Sequence, residues 1–106
     1  MLNAAQSLEQ QREVAHLVKD FFSDKPVRKV WLFGSFARGD FDEDSDVDIL
    51  IKWDYDQESI GWEYFGWWED LEELTGRKVD LVSHGYVSKY LEPFIEQEKI
   101  LVYEKD

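Results

Sequence analysis

The sequence predicts an α/β domain of the α+β type, a small mixed β-sheet with helices packed on it. Short apolar runs of strand length carry the first part of that prediction: Val27 to Phe33, Val47 to Trp53, Lys78 to Ser83 and Ile100 to Tyr103. Between them lie longer stretches whose apolar residues recur at three- and four-residue steps, the period of a helix with one buried face. The third observation is size, because 106 residues suffice for one hydrophobic core and hence for a single domain over 1–106.

Residues 7 to 22 read as the first helix, with Leu8, Gln11, Val14 or Ala15, Val18, Phe21 and Phe22 on one face. Ser7 is the expected N-cap and Gln10 its capping-box partner. Pro26 stops the helix, since the residue before a proline leaves helical space. Val27 to Phe33 becomes continuously apolar at its end, as a strand buried on both faces does. A short helix is suggested at Phe36-Ala37-Arg38, and the second strand runs from Val47 to Trp53.

A polar turn, Asp54-Tyr55-Asp56-Gln57, leads to a helix ending near Thr75 with Ile60, Tyr64, Trp67, Trp68, Leu71 and Leu74 as its stripe. Gly76 stands where a left-handed C-cap belongs. Gly61 and Gly66 are awkward inside a helix. Either it starts near Trp62, or Gly66 admits another backbone. Lys78 to Ser83 is the third strand. Tyr86 to Lys99 carries Val87, Tyr90, Leu91, Phe94 and Ile95 on one helical face, and Pro93 divides it into two pieces. Ile100 to Tyr103 closes the sheet.

Composition narrows the function. The formal charge is −12, from 24 acidic against 12 Lys and Arg residues. Such a surface repels nucleic-acid backbones, so direct nucleic-acid binding is not expected. A small anion delivered with its own cations, or a basic protein partner, suits it better. There is no cysteine, which excludes disulfides and thiolate metal sites. No apolar run approaches the ~20 residues of a membrane span. The Met1-Leu2-Asn3-Ala4-Ala5-Gln6 start lacks the basic and apolar parts of a secretory signal, so a cytoplasmic protein is expected.

The chemistry concentrates between Phe33 and Ile51. Gly34-Ser35 follows a buried strand directly, and a glycine there lets backbone approach a phosphate while the Ser35 hydroxyl donates to it. Arg38 can pair with a phosphate at longer reach. Asp46 and Asp48, two residues apart on a strand, point to one side, and carboxylates that close call for a cation between them. Magnesium fits, being held commonly by one or two carboxylates plus substrate phosphates. Asp80, alone in an apolar strand, is the third acid if that strand lies beside the second. Such a set supports two-metal, in-line displacement at phosphorus.

An EF-hand is excluded. With Asp40, Asp42 or Asp44 as first ligand, the glycine position holds Ser45, Val47 or Ile49, and the twelfth is never Glu. His16 and His84 lack a second His at ligand spacing and read as surface or capping residues. Asp40, Asp42, Glu43 and Asp44 read as a solvated rim. The aromatic group Trp53, Tyr55, Trp62, Tyr64, Phe65, Trp67 and Trp68 reads mostly as core, with Trp62 and Phe65 off the helical stripe and available for an interface.

Gly34-Ser35, ten intervening residues, Asp46-Val47-Asp48 with Ser45 ahead, and the later Asp80 together resemble the DNA polymerase beta-like nucleotidyltransferases. The nearest likeness is to the minimal nucleotidyltransferases (MNT), the antitoxin half of HEPN–MNT toxin–antitoxin pairs, and it covers nearly the whole chain. The resemblance implies that Gly34 and Ser35 position the triphosphate of ATP, with Arg38 and Ser45 beside them. It implies that Asp46 and Asp48 bind Mg2+, two ions in all, and that Asp80 completes the metal site or acts as base.

It further implies transfer of AMP from ATP to a tyrosine hydroxyl of a HEPN-family toxin, an RNase, within a hetero-oligomer. Larger relatives carry a second domain to hold their acceptor, so here a partner would supply that surface. Two alternatives stand beside this reading: an antitoxin that acts by binding alone, and a nucleotidyltransferase acting on a small molecule such as an aminoglycoside.

Overall fold

A computed structural model describes residues 2–54, 63–85 and 87–105. Eight elements follow one another: α1 (Ala4–Phe22), β1 (Val27–Phe33), α2 (Gly34–Arg38), β2 (Val47–Trp53), α3 (Glu63–Thr75), β3 (Val79–Ser83), α4 (Glu92–Glu98) and β4 (Ile100–Glu104). The strands form one sheet in the order β3-β2-β1-β4. β1 pairs antiparallel with both β2 and β4, whereas β2 and β3 run parallel, so the sheet is mixed as expected.

The two faces of the sheet differ. Val47, Ile49 and Ile51 of β2 join Val30 and Leu32 of β1 in the main core. That core is closed by Val14, Val18 and Phe22 of α1 and by Trp67 and Leu71 of α3. Trp67 is 3% exposed and meets Phe22 edge-on, with ring centroids 5.7 Å apart. On the opposite face a small cluster of Trp31, Leu50 and Ile95 is all that is packed tightly, and α4 supplies Ile95. Alternation along β2 places Asp48 on this second, thinly covered face with Leu50. Function has room there.

Two sequence expectations need correction. Helix α1 begins a turn earlier than expected. Its cap is Asn3, whose side chain accepts from Gln6 N at 2.8 Å while Gln6 Oε1 accepts from Asn3 N at 3.0 Å. The apolar stripe starts only at Leu8, so periodicity could not register a first turn built from Ala4 and Ala5. In the α4 region only Glu92–Glu98 is helical, with Pro93 in its first turn. Ser88 takes the amides of Tyr90, Leu91 and Glu92 in a preceding turn. The apolar face expected there is therefore mostly outward, with Tyr90, Leu91 and Phe94 88%, 56% and 64% exposed.

Gly66 lies inside α3, and among the described residues beyond its own helix no atom comes within 4 Å of where a Cβ would stand, so no other backbone approaches it there. The described part of the helix runs from Glu63. Gly76 does adopt the left-handed conformation that ends α3, at φ 69°. Tyr55, Asp56, Gln57, Ile60, Gly61, Trp62 and Tyr86 lie outside the described residues. Phe65, off the stripe as expected, is 67% exposed, while Trp53, Tyr64 and Trp68 pack against the core.

Because Gly66 takes the entropy penalty of glycine without any packing return, Gly66→Ala is expected to stabilise the protein by about 0.5–1 kcal/mol. Urea unfolding of the two proteins checks this, and an unchanged or lowered midpoint would mean that the space beside Gly66 is filled.

Candidate active site

Register decides which residues meet. Phe33, the last residue of β1, stands opposite Asp48 of β2. Asp48 in turn stands beside Asp80 of β3. Gly34 therefore leaves the sheet directly over the Asp48 carboxylate. Its φ of 75° is one that side chains rarely adopt, and a Cβ built there would collide with Asp48 Oδ2. Glycine is required twice over at this point, once for the turn and once for the close approach. Asp46 lies just before β2, at the point where Val47 N donates to Lys78 O and the parallel pairing with β3 begins.

The acids act on one another. Burial pushes the Asp48 carboxyl up to about 6, the charges of Asp80, Asp46 and Glu98 push in the same direction, and Arg38 opposes them. Asp80 and Asp46 are exposed, so Asp48 is the member that sits deepest. An oxygen-only donor set with one carboxyl driven toward protonation is what a hard divalent cation relieves. Among the described residues no three acidic or imidazole groups are gathered closely enough to hold a metal unaided. A magnesium ion here would draw further ligands from substrate phosphates, as magnesium commonly does.

The glycine-serine side of the site is built by α2, which opens at Gly34 and closes at Gly39, φ 88°. Phe36 and Ala37 bury its inner face. Gln11 of α1 fastens its end by donating to Phe36 O at 2.9 Å and Ala37 O at 3.2 Å. Ser35 is half-buried at its start. Arg38 Nη1 donates to Glu98 Oε2 at 2.9 Å and Arg38 Nε to Asp40 Oδ2 at 3.1 Å. Glu98 first, then Asp40, hold that guanidinium above its ordinary proton affinity.

Ser45 spends its hydroxyl on the acidic loop. It accepts from Asp42 N at 3.0 Å and donates to Asp42 Oδ1 at 3.2 Å. His84 stacks on Trp31 with centroids 5.9 Å apart, and His16 sits 3.4 Å from Asp20 on α1.

Two residues that sequence reasoning missed complete the arrangement. Arg77, just ahead of β3, crosses the acidic loop. Its Nη1 donates to Asp42 O at 2.8 Å and Ser45 O at 3.1 Å, and its Nη2 donates to Gln10 Oε1 at 2.7 Å. The guanidinium also lies 5.3 Å and 5.1 Å from the ring centres of Phe36 and Phe41. One arginine thus ties α1, the loop that delivers Asp46, and the entry to β3. Glu98 is the other. The pairing Leu32↔Ile100 puts Glu98, two residues before Ile100, beside Gly34, two residues after Leu32. Only that antiparallel register reveals it.

The sheet end thus carries a glycine bend over a half-buried carboxylate, with a second acid in register beside it. The family model described as Nucleotidyltransferase domain matches residues 12–102. The chain belongs to the nucleotidyltransferase domain family. A Methanocaldococcus jannaschii relative that bears the provisional name protein adenylyltransferase is 35% identical, over 91% of this chain and 98% of its own.

Among solved structures, a toxin–antitoxin complex with AMP-PNP superposes with a TM-score of 0.66 at 20% identity, covering 91% of this chain and 74% of that one. A tri-AMPylated Shewanella oneidensis HEPN toxin in complex with MNT antitoxin gives 0.59 at 17% identity, covering 93% and 73%. At those identities the structures establish the shared minimal nucleotidyltransferase fold.

Two outcomes are expected from the geometry. Gly34→Ala and Gly76→Ala both place a side chain at positive φ, but only the first collides with a carboxylate. Gly76→Ala should cost about 1–2 kcal/mol in backbone strain and Gly34→Ala clearly more. Equal losses in chemical denaturation would remove the close approach from the account.

The second outcome concerns pH. The folded state holds the Asp48 proton more tightly than the unfolded chain does. That stabilising contribution is complete below the unfolded value near ~4 and is lost as pH rises through about 6. Asp48→Asn should therefore gain melting temperature over the native protein between pH 4 and 7. A constant difference across that range would contradict it.

Proposed function

We propose that this protein transfers AMP from ATP to a hydroxyl of a partner protein, a tyrosine of a HEPN-family toxin, and so acts as an antitoxin. The single observation that carries the proposal is Asp48 lying between the Gly34 bend and Asp80 in register. That register supports reading Asp48 as a metal ligand, the Gly34 backbone as a phosphate binder and Asp80 as the base. Family membership supports the chemistry. The name of the Methanocaldococcus jannaschii relative supports a protein acceptor, and the AMPylated HEPN toxin bound to an MNT antitoxin supports the class of partner.

Each residue then has a task. The Gly34 amide, the Ser35 hydroxyl and Arg38 hold the triphosphate and align its α-phosphorus, and Ser45 shapes the loop beside them. Asp46 and Asp48 would hold Mg2+, two ions in all, with Asp80 beside them. Bound magnesium supplies charge neutralisation on the phosphates and lowers the proton affinity of the attacking hydroxyl. The acceptor oxygen forms the new bond to the α-phosphorus, and the bond from that phosphorus to the bridging oxygen breaks. Pyrophosphate carries away the electron pair. Asp80, exposed at the rim, takes the hydroxyl proton. In-line geometry puts the acceptor opposite the pyrophosphate, so Asp80 must face the incoming protein.

The surface around the site suits a protein acceptor. Tyr90, Leu91 and Phe94 are exposed on the segment that covers the acid-bearing face, and aromatic anchors dominate protein interfaces. The charge of −12 favours a basic partner. No helix among the described residues is long and apolar enough to cross a membrane. A cytoplasmic site of action fits an ATP-consuming antitoxin.

Incubation with α-labelled ATP, Mg2+ and a purified HEPN-family toxin tests the proposal. Label should appear on a partner tyrosine, and Asp46→Ala/Asp48→Ala should lower the rate by on the order of a hundredfold or more. No transfer by the native protein would overturn it. Full protection of cells by the double variant would favour neutralisation by binding alone.

A further inference from the structure

Glu98 sits where a bound anion would sit. It is the last residue of α4, and its side chain is 20% exposed. One carboxylate oxygen accepts from Gly34 N at 3.1 Å and the other from Arg38 Nη1 at 2.9 Å. A backbone amide at a glycine bend plus a guanidinium is the donor pair that phosphate oxygens use. These are also the two donors that the proposed function assigns to the triphosphate. A carboxylate and a phosphate cannot both take them.

The position is electrostatically awkward for any structural purpose. Glu98 adds its negative charge to a face that already carries Asp46, Asp48 and Asp80, and it pushes Asp48 further toward protonation. Arg38 and the Gly34 amide are what offset this. A packing role would be served as well by a neutral side chain. An anion there does something a neutral residue cannot: it holds the amide and the arginine together through charge-assisted hydrogen bonds.

The hinge for release is built in. Lys99 caps α4 in extended conformation, lies 4.4 Å from the Trp31 ring centre and pairs with Glu96 at 2.8 Å. These contacts fix the chain at Lys99, so the Glu98 side chain can leave by its own rotamers without moving the strand that follows.

We propose that Glu98 is an internal competitor for the phosphate seat, occupying Gly34 N and Arg38 until metal-bound ATP displaces it. The inference rests on the nucleotidyltransferase reading above and adds specificity to it. A ligand must bring enough charge and metal to replace a tethered carboxylate. Nucleoside triphosphate with magnesium meets that requirement, and inorganic phosphate at ordinary concentration does not.

Titration calorimetry with Mg2+ and AMP-PNP tests this without turnover. Glu98→Ala should bind about three- to tenfold tighter than the native protein, the range expected for removing a partly exposed ion pair that competes with ligand. Glu98→Gln keeps the shape, loses the charge and should shift in the same direction, which guards against a folding defect in the first variant. Glu92→Ala, an exposed acid on the same helix, should leave affinity unchanged. In 15N-labelled protein, inorganic phosphate should move the Gly34 amide resonance in Glu98→Ala and leave it in place in the native protein. Equal or weaker AMP-PNP binding by both Glu98 variants, with the native protein binding normally, overturns the competitor alone. Absence of AMP-PNP binding in every protein overturns the phosphate seat itself, and the competitor with it.

Discussion

The close approach of the Gly34 backbone to the Asp48 carboxylate is the constraint on which the rest of the structure depends. It exists because β1 and β2 are antiparallel in a register that sets Phe33 against Asp48, and because residue 34 has no side chain. From it follow the positive φ and the immediate start of α2, which carries Ser35 and Arg38. It also follows that Asp48 is partly desolvated, which makes its charge expensive and a cation welcome. The glycine turn and the acid-bearing strand are thus one structural decision.

The uneven covering of the sheet explains why the decision is affordable for so small a chain. One face carries nearly all of the core, with α1 and α3 packed on β1 and β2. The other is left to Trp31, Leu50, Ile95 and a short α4, and on that face the acids can stand beside one another with solvent near. Two arginines manage the resulting charge. Arg77 is spent on backbone carbonyls of the acidic loop and fixes the route into Asp46. Arg38 is held between Asp40 and Glu98, at the edge of the site. Arginine suits both places, since its planar fork serves several acceptors at once while staying charged.

Much of this was legible in the residues. The strands announced themselves because β1 and β2 are buried on both faces at Val30 to Leu32 and at Ile49 to Ile51, which leaves uninterrupted apolar runs. Gly34-Ser35 and Asp46-Val47-Asp48 were readable because the chemistry is local in sequence. The place of Asp80 beside Asp48 was readable because a lone acid interrupts a short apolar strand. What stayed hidden depended on register or on local capping. Glu98 reaches Gly34 only through the pairing of β4 with β1, and Arg77 acts on carbonyls more than thirty residues away. The outward turn of Tyr90, Leu91 and Phe94 was hidden by a period that fits a helix, which Ser88 and Pro93 interrupt.

The chain is a nucleotidyltransferase domain, and on the proposed function it would hold its donor nucleotide at the Gly34 bend and take its acceptor from a partner. The measurement that bears most directly on this is a crystal structure grown with Mn2+ and AMP-PNP, with anomalous scattering locating the metal. The account predicts metal density against the Asp48 carboxylate and a phosphate oxygen on the Gly34 amide. Metal bound elsewhere, or a nucleotide whose phosphates lie away from that bend, would contradict it.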